Sequence, residues 1–528
     1  VYPPLDIDSM ERSIGQSERA EDAVEMLASW WPLVSPTHGA RLRAMIEGIP
    51  ESAWGTDLRI LGAMGASYRS LDSRNHAAAL LWFSAAEAAQ SDRDDVPGIS
   101  TVLLHHAAAL RSLGRLDSAL EKSAAAFVLL DGLRGPPTVR VRGQSRAALQ
   151  LGLTQLQLGD YTGAQGMLEL AGSFGDRHLS QPEFIECLSG LSVLSYLSGD
   201  LTASTEMVAT ARTTSGTSGF MESCFGAGAL TAEVLVAIAR NDRSPVSELV
   251  NSMSVAAHGS DWEPLAHVAR ASASAMDGDF IGGLGHIRRG LERSRGWQGD
   301  PAVRGLCETV SGELLMHLGE FAAARAVFGA VEPDRSHTVC PARLIAGIRY
   351  KAGDNSGCLQ KLSECESLGE SHSARTAVDV LVLRAAANYE LGNAAAADVA
   401  LDRALQLSVG STIRNPFLLV SGAHLHRMLT RAKDRHQGVN VLDLIDQLRA
   451  SDHGSTAGIL EPLSLRERDV ARHLSQDKTM GQIASDLYIS TNTVKSHVRS
   501  IYRKLSANNR QDAVRRGSEL GAAEITLP

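Results

Sequence analysis

The sequence predicts an all-α protein: a long helical-repeat solenoid followed by a compact unit of four short helices. Three observations carry that reading. A glycine-punctuated phrase recurs at the ends of apolar helical stretches along most of the chain. The stretches between are alanine-rich, with 44% hydrophobic and 21% charged residues overall. Residues 463–528 then hold four helix-start signals in quick succession.

The recurring phrase reads "LGRLDSAL", "LGDYTGAQ", "SGDLTAST", "DGDFIGGL", "LGEFAAAR", "AGDNSGCL" and "LGNAAAAD". Its glycines are Gly114, Gly159, Gly199, Gly278, Gly319, Gly353 and Gly392; Asn241 fills the gap after Gly199, and Ser73 precedes Gly114 by a similar distance. The steps run from 34 to 45 residues, a period that marks stacked helical pairs. Gly or Asn can adopt the left-handed conformation that ends a helix. An apolar anchor follows two residues later: Leu116, Tyr161, Leu201, Phe280 or Phe321. Five residues after the Gly comes a small side chain that lets the second helix approach the first: Ala119, Ala164, Ser204, Gly283, Ala324, Cys358 or Ala397. Ala78 fits that place after Ser73, whereas Val246 after Asn241 does not.

The array is expected to occupy residues 1–450 and to close with a helix at "VLDLIDQLRA". The stretch "SDHGSTAGILEP", 451–462, is short of helix formers and ends in Pro462, so it reads as a linker.

The terminal unit is expected over residues 463–528. Ser464 with Glu467 forms a capping box, and Val470, Ala471 and Leu474 supply the apolar stripe of a first helix. Thr479 with Gln482 opens a second, which buries Ile483, Ala484 and Leu487. "YIS" turns the chain, and Ser490 N-caps a third helix with its apolar seam at Val494, Val498, Ile501 and Leu505. Asn509 with Asp512 caps a fourth.

The other face of the third helix carries Asn492, Lys495, Ser496, Arg499 and Arg503 at three- and four-residue spacing. Residues 490–516 hold seven cations and a single acid, Asp512. A helix with a polar start and a cationic ridge fits the DNA major groove. Its free amides, with Ser490, Thr491, Asn492 and Thr493, can hold phosphate oxygens. Lys495 and Arg499, one turn apart, can both reach base edges.

The formal charge of −9 excludes a chain that coats nucleic acid along its whole length. Residues 461–528 carry eleven Lys or Arg against eight Asp or Glu, so this end is near +3 and the remainder near −12. The cysteines Cys187, Cys224, Cys307, Cys340, Cys358 and Cys365 form no CxxC pair and read as reduced thiols. Trp30, Trp31, Trp54, Trp82, Trp262 and Trp297 read as core. His105–His106 and His424-x-His426 are the only close histidine pairs, and adjacent histidines face different sides of a helix. No HExxH, GxSxG or dinucleotide glycine motif occurs, so neither an enzyme nor a metal or cofactor site is expected. No apolar run reaches membrane-spanning length and no cationic–apolar leader opens the chain, which points to the cytoplasm, at the nucleoid when DNA is bound. A chain beginning at Val1 either lacks an upstream segment or starts at a non-standard codon.

The array resembles tetratricopeptide-type repeats, in a longer version, over roughly residues 60–430. Residues 463–515 closely resemble the LuxR-type helix-turn-helix of bacterial transcription regulators, on "LSLRERDV", "IASDLYIS", "TVKSHVRSIYRKL" and "NNRQDAV". That resemblance implies base reading by Lys495, Ser496 and Arg499. It further implies phosphate contacts by Thr491, Thr493, Arg503 and Lys504, and pairing of two copies on a two-fold site through Ala513, Val514 and Gly517. The family's usual Gly-x-Ser-Asn before the second helix is here "DKTM", which leaves Lys478 as the remaining candidate for the backbone in that turn. The layout is similar to the large maltose-regulator-like branch of the family, but its GxxxxGKS/T nucleotide loop is absent.

The expected function is therefore a sequence-specific DNA-binding transcriptional regulator with RNA polymerase as a further partner. Its acidic array would sense a small molecule or protein and restrain the terminal unit until that ligand binds. The competing reading is a protein-interaction scaffold with a vestigial DNA-binding unit.

Overall fold

The computed structural model describes residues 7–89, 95–134, 136–173, 175–295, 301–331, 339–367, 372–420, 422–450 and 461–520. Among them, regular structure consists of twenty-eight α-helices and two short 3-10 turns. From Leu58 onward the helices pack as antiparallel pairs, such as Val96–Ser112 with Leu116–Asp131 and Pro301–His317 with Phe321–Ala330. The paired packing is that of tetratricopeptide-like repeats. No helix among the described residues is long and apolar enough to cross a membrane.

One turn chemistry joins the two helices of each pair. All seven repeat glycines lie between φ +71° and +89°, and Asn241 stands at +55°. The N–H of the following residue reaches back to the carbonyl five residues earlier, as in Asp160 to Gln155 and Asp354 to Arg349, both 2.9 Å. These bonds satisfy carbonyls that the helix end would otherwise leave open. The same residue starts the next helix. Asp160, Asp200, Asp279 and Asp354 accept the N–H of Gly163, Ala203, Gly282 and Gly357 at 2.9–3.0 Å. Gly-Asp is thus a stop and a start in two residues.

The small positions are buried as the close approach requires: Ala119, Ala164, Ser204, Ala324 and Cys358 are fully covered. The first turn is displaced by one residue from the sequence expectation. Arg74, at φ +46°, takes the left-handed place assigned to Ser73. The small residue five positions on is then Ala79, fully buried, rather than Ala78. Val246 is buried although it is not small.

The first helix of each pair lines the inside of a superhelix tight enough for successive turns to touch. Arg111 Nε meets Asp261 Oδ2 at 2.6 Å, Arg375 Nη1 donates to Tyr196 Oη at 2.8 Å, and Arg414 N–H donates to Ala239 O at 2.9 Å. Trp31, Trp54 and Trp262 are buried core and Trp30 and Trp82 half-buried; Trp297 lies outside the described residues. Cys187, Cys307, Cys340 and Cys358 are buried and Cys224 half-buried, while the Cys365 side chain is not among those described. Burial pushes the Cys187 and Cys358 thiols up to about 12. His106 pairs with Glu87 while His105 meets Arg146 at 3.3 Å, and His424 pairs with Glu390.

The array's last helix is Val439–Ala450, where "VLDLIDQLRA" placed it. Of the expected linker, residues 451–460 lie outside the described residues; Glu461 and Pro462 are described.

Candidate nucleic-acid interface

Four helices build the terminal unit: Leu465–Ser475, Met480–Asp486, Thr491–Lys504 and Arg510–Leu520. Both capping boxes form, at Ser464 with Glu467 and at Thr479 with Gln482. Ser490 Oγ accepts the Thr493 N–H at 3.1 Å, and Asn509 Oδ1 accepts the Asp512 N–H at 2.9 Å. Each cap fixes where its helix starts, and so which residues share a face. Val470, Leu474, Ile483, Ala484, Val494, Val498, Ile501 and Leu505 make the buried seam. Ala471 and Leu487 sit half-buried at its edge.

The seam turns the opposite face of the third helix outward. Thr491, Asn492, Lys495, Ser496 and Arg499 are all exposed, as is Ser490 before them; Thr493 is half-buried. Among the described residues, neither Lys495 nor Arg499 has a side-chain hydrogen bond or ion pair.

The last two cations of this helix behave differently from the first two. Arg503 is half exposed and grips Glu461 through Nη1 at 2.6 Å and Nη2 at 3.0 Å. Lys504 turns inward with its side chain 10% exposed, donating to Glu467 Oε2 and to the Pro462 carbonyl, both at 2.8 Å. Burial pushes the Glu467 carboxyl up, but hydrogen bonds from Lys504, Ser500 and the Ser464 N–H outweigh it and hold the group below its usual range. Lys478, at the turn before the second helix, pairs with Asp486 at 2.8 Å.

The three residues assigned to pairing do not form an open patch. Ala513 and Gly517 are buried, with Gly517 against the Leu505 side chain, and Val514 is half-buried. They complete the unit's own core.

The other side of the fourth helix meets the array, a contact the sequence does not announce. Arg515 Nη1 and Nη2 reach Glu320 at 3.1 and 3.2 Å, and Arg516 donates to the Leu318 carbonyl. Ser506 Oγ donates to the His317 carbonyl at 2.9 Å. A second anchor lies one repeat further on, where the Leu463 N–H donates to the Lys351 carbonyl at 3.3 Å. Both anchors sit on repeat glycines. A Cβ on Gly319 would stand 2.3 Å from Leu505 O, and one on Gly353 3.0 Å from Leu463 O. Gly392, in the same kind of turn, has nothing within 4 Å. Glycine at 319 and 353 therefore does two jobs, ending a helix and admitting the backbone of the terminal unit.

The family described as "Bacterial regulatory proteins, luxR family" matches residues 461–516. The chain is 41% identical over 63 residues to the spore germination protein GerE of Bacillus subtilis (strain 168), covering 12% of this chain and 85% of that protein. It is 34% identical over 71 residues to the probable transcriptional regulatory protein NarL of Mycobacterium tuberculosis, covering 13% of this chain and 33% of the relative. Among solved structures, a Rap protein complexed with competence and sporulation factor aligns with TM-score 0.48 and 10% identity, over 67% of this chain and 98% of that one. The Cut9–Hcn1 hetero-tetramer of the APC/C aligns with TM-score 0.41 and 12% identity, over 84% and 92% of the two chains. Through its four terminal helices, this chain belongs to the luxR family of bacterial regulatory proteins.

Proposed function

We propose that this protein is a sequence-specific DNA-binding transcriptional regulator, in which residues 463–528 bind DNA and residues 1–450 sense a signal. The observation that carries the reading is the open face of helix Thr491–Lys504, on a unit shared with GerE. Lys495, Ser496 and Arg499 read base edges in the major groove, and the free amides at the helix start hold phosphate with Ser490, Thr491, Asn492 and Thr493. Arg503 exchanges its exposed pair with Glu461 for a phosphate oxygen. Lys504 is left out of the contact set, because its ammonium holds the buried Glu467.

The restraint expected of the array takes a particular form. The base-reading face stays exposed, while the fourth helix lies against the turn at Gly319 and the start of the first terminal helix, at Leu463 and Arg468, against the turn at Gly353. Restraint then acts on how two copies pair on DNA, with Val514 as the assigned pairing residue nearest the surface. A small molecule or protein bound by the array releases the unit, which pairs and recruits RNA polymerase.

Binding-site selection with the full chain tests the DNA reading. It should return two half-sites about one helical turn apart, with binding that weakens steeply as salt rises. Recovery of no enriched sequence would leave the terminal unit without a reading function.

A further inference from the structure

Inside the first turn of the superhelix, helices Leu58–Ser67, Val96–Ser112, Pro137–Gln157 and Gln181–Ser198 converge on a cavity of about 100 Å³. That is room for roughly seven to ten waters. Its wall mixes apolar surface with a dense set of charged side chains. Arg111, with a side chain 1% exposed, binds Asp261 at 2.6 Å, Glu186 at 3.0 Å and Gln150 at 2.7 Å. Arg146 binds Glu183 at 2.6 Å. These two guanidinium groups engage all three carboxylates of the cavity.

Two cations of the lining have no carboxylate: Arg74, which donates to the His258 carbonyl at 2.6 Å, and Arg69. Its Nε is buried without a hydrogen-bond partner, and no described residue forms an ion pair or side-chain hydrogen bond with it. Burial pushes its pKa down; Glu186 pulls it back, Arg111 opposes that, and Asp261 helps. His76 stands on the same wall, and burial together with Arg69 pushes it down to about 4. The His76 Nδ1 and the Arg74 Nε are also buried without partners. A half-buried cation without a direct partner, beside orphaned polar atoms, is costly to the fold alone. Grouped around a cavity, such atoms make a prepared site for a molecule that supplies the missing countercharge.

We propose that this cavity binds a small anionic molecule whose carboxylate or phosphate pairs with Arg69. The guanidinium offers a planar fork to two anion oxygens. The paired carboxylates Glu186 and Asp261 also line the cavity and favour a ligand that carries a donor as well. The size of the cavity limits the ligand to a few carbons or a single phosphoryl group. The site gives the array a ligand class without relying on DNA binding. It is tested on DNA-free protein, so its failure leaves the DNA reading standing.

The experiment is thermal unfolding and calorimetric titration of the full chain with inorganic phosphate and, separately, succinate, against chloride at equal ionic strength. One of the two anions should raise the melting temperature saturably, which assigns the phosphoryl or carboxylate source. Arg69→Gln should weaken that binding by about tenfold or more, whereas Arg115→Gln, on the exposed surface, should leave it unchanged. Arg69→Met should melt no lower than the parent chain without anion, because it removes a half-buried cation that has no ion-pair partner. A saturable response that survives in Arg69→Gln, the lack of any response to both anions, or a lower melting temperature of Arg69→Met would each overturn the proposal.

Discussion

The Ser506 hydroxyl donates to the backbone carbonyl of His317 at 2.9 Å, across 189 residues of sequence. Ser506 lies in the turn between the third and fourth terminal helices, and His317 ends the helix that stops at Gly319. A repeat turn of the array is therefore also the seat of the DNA-binding unit.

Gly319→Ala and Gly392→Ala separate the two jobs of such a glycine. Both impose a left-handed alanine, costing about 1–2 kcal/mol. Only Gly319→Ala also drives a methyl into Leu505 O. It should undock the terminal unit, seen as faster proteolysis between residues 451 and 462 and altered DNA affinity at fixed salt. Equal behaviour of the two variants would mean that the Gly319 contact does not hold the unit.

Lys495→Ala and Arg499→Ala should each cost about 1–3 kcal/mol at the selected site and relax base preference. Arg503→Ala should weaken all sequences evenly and lower the salt dependence by about one counterion. An unchanged selected motif at unchanged affinity would remove Lys495 and Arg499 from the reading face.

Lys504→Met should act on stability rather than on DNA contacts. It strands the Glu467 carboxylate, whose side chain is 7% exposed, and should cost about 3 kcal/mol in urea unfolding. Adding Glu467→Gln should recover much of that loss. The depressed Glu467 pKa adds a direction. Its contribution is complete above the ordinary carboxylate range and fades as pH falls through the folded value. Loss of DNA affinity without loss of stability would restore Lys504 as a phosphate contact.

His317 adds an acid sensitivity at the docking turn. Burial, and then Lys351, pushes it down to about 3, and its ring stacks on Phe280 at 4.1 Å. The unfolded chain therefore takes up this proton first as pH falls below the ordinary histidine range. Stability held by neutral His317 is complete above about pH 6.5 and declines toward pH 3, with about 1–2 kcal/mol lost by pH 5. His317→Phe should flatten the difference between urea midpoints at pH 7 and pH 5. An unchanged slope would assign the acid loss to other groups.

The repeat turns and the terminal helices were legible in the sequence because their causes are local. A left-handed glycine, an aspartate cap three residues before its N–H partner and a seam at Val494, Val498, Ile501 and Leu505 all act within one or two helical turns. Even the one displaced turn, at Arg74 rather than Ser73, is a local matter, since nothing about an arginine advertises a positive φ.

What the sequence could not rank was the use of chemically equal side chains. Arg503 and Lys504 are neighbours on one cationic helix, yet one faces solvent and the other holds Glu467. Ala513 and Gly517 read as well for a pairing patch as for a core; Ala513 is buried and Gly517 packs against Leu505.

By itself, then, the sequence determined the helix order, the repeat period, the caps and the cationic face of helix Thr491–Lys504. Tertiary structure alone decided that Arg69 is left without a carboxylate, that Arg111 reaches Asp261, and that Arg516 reaches Leu318. The reason is range. Caps and seams follow from contacts between residues three to five apart, whereas these outcomes depend on which surfaces the superhelix brings together from 150 to 198 residues away.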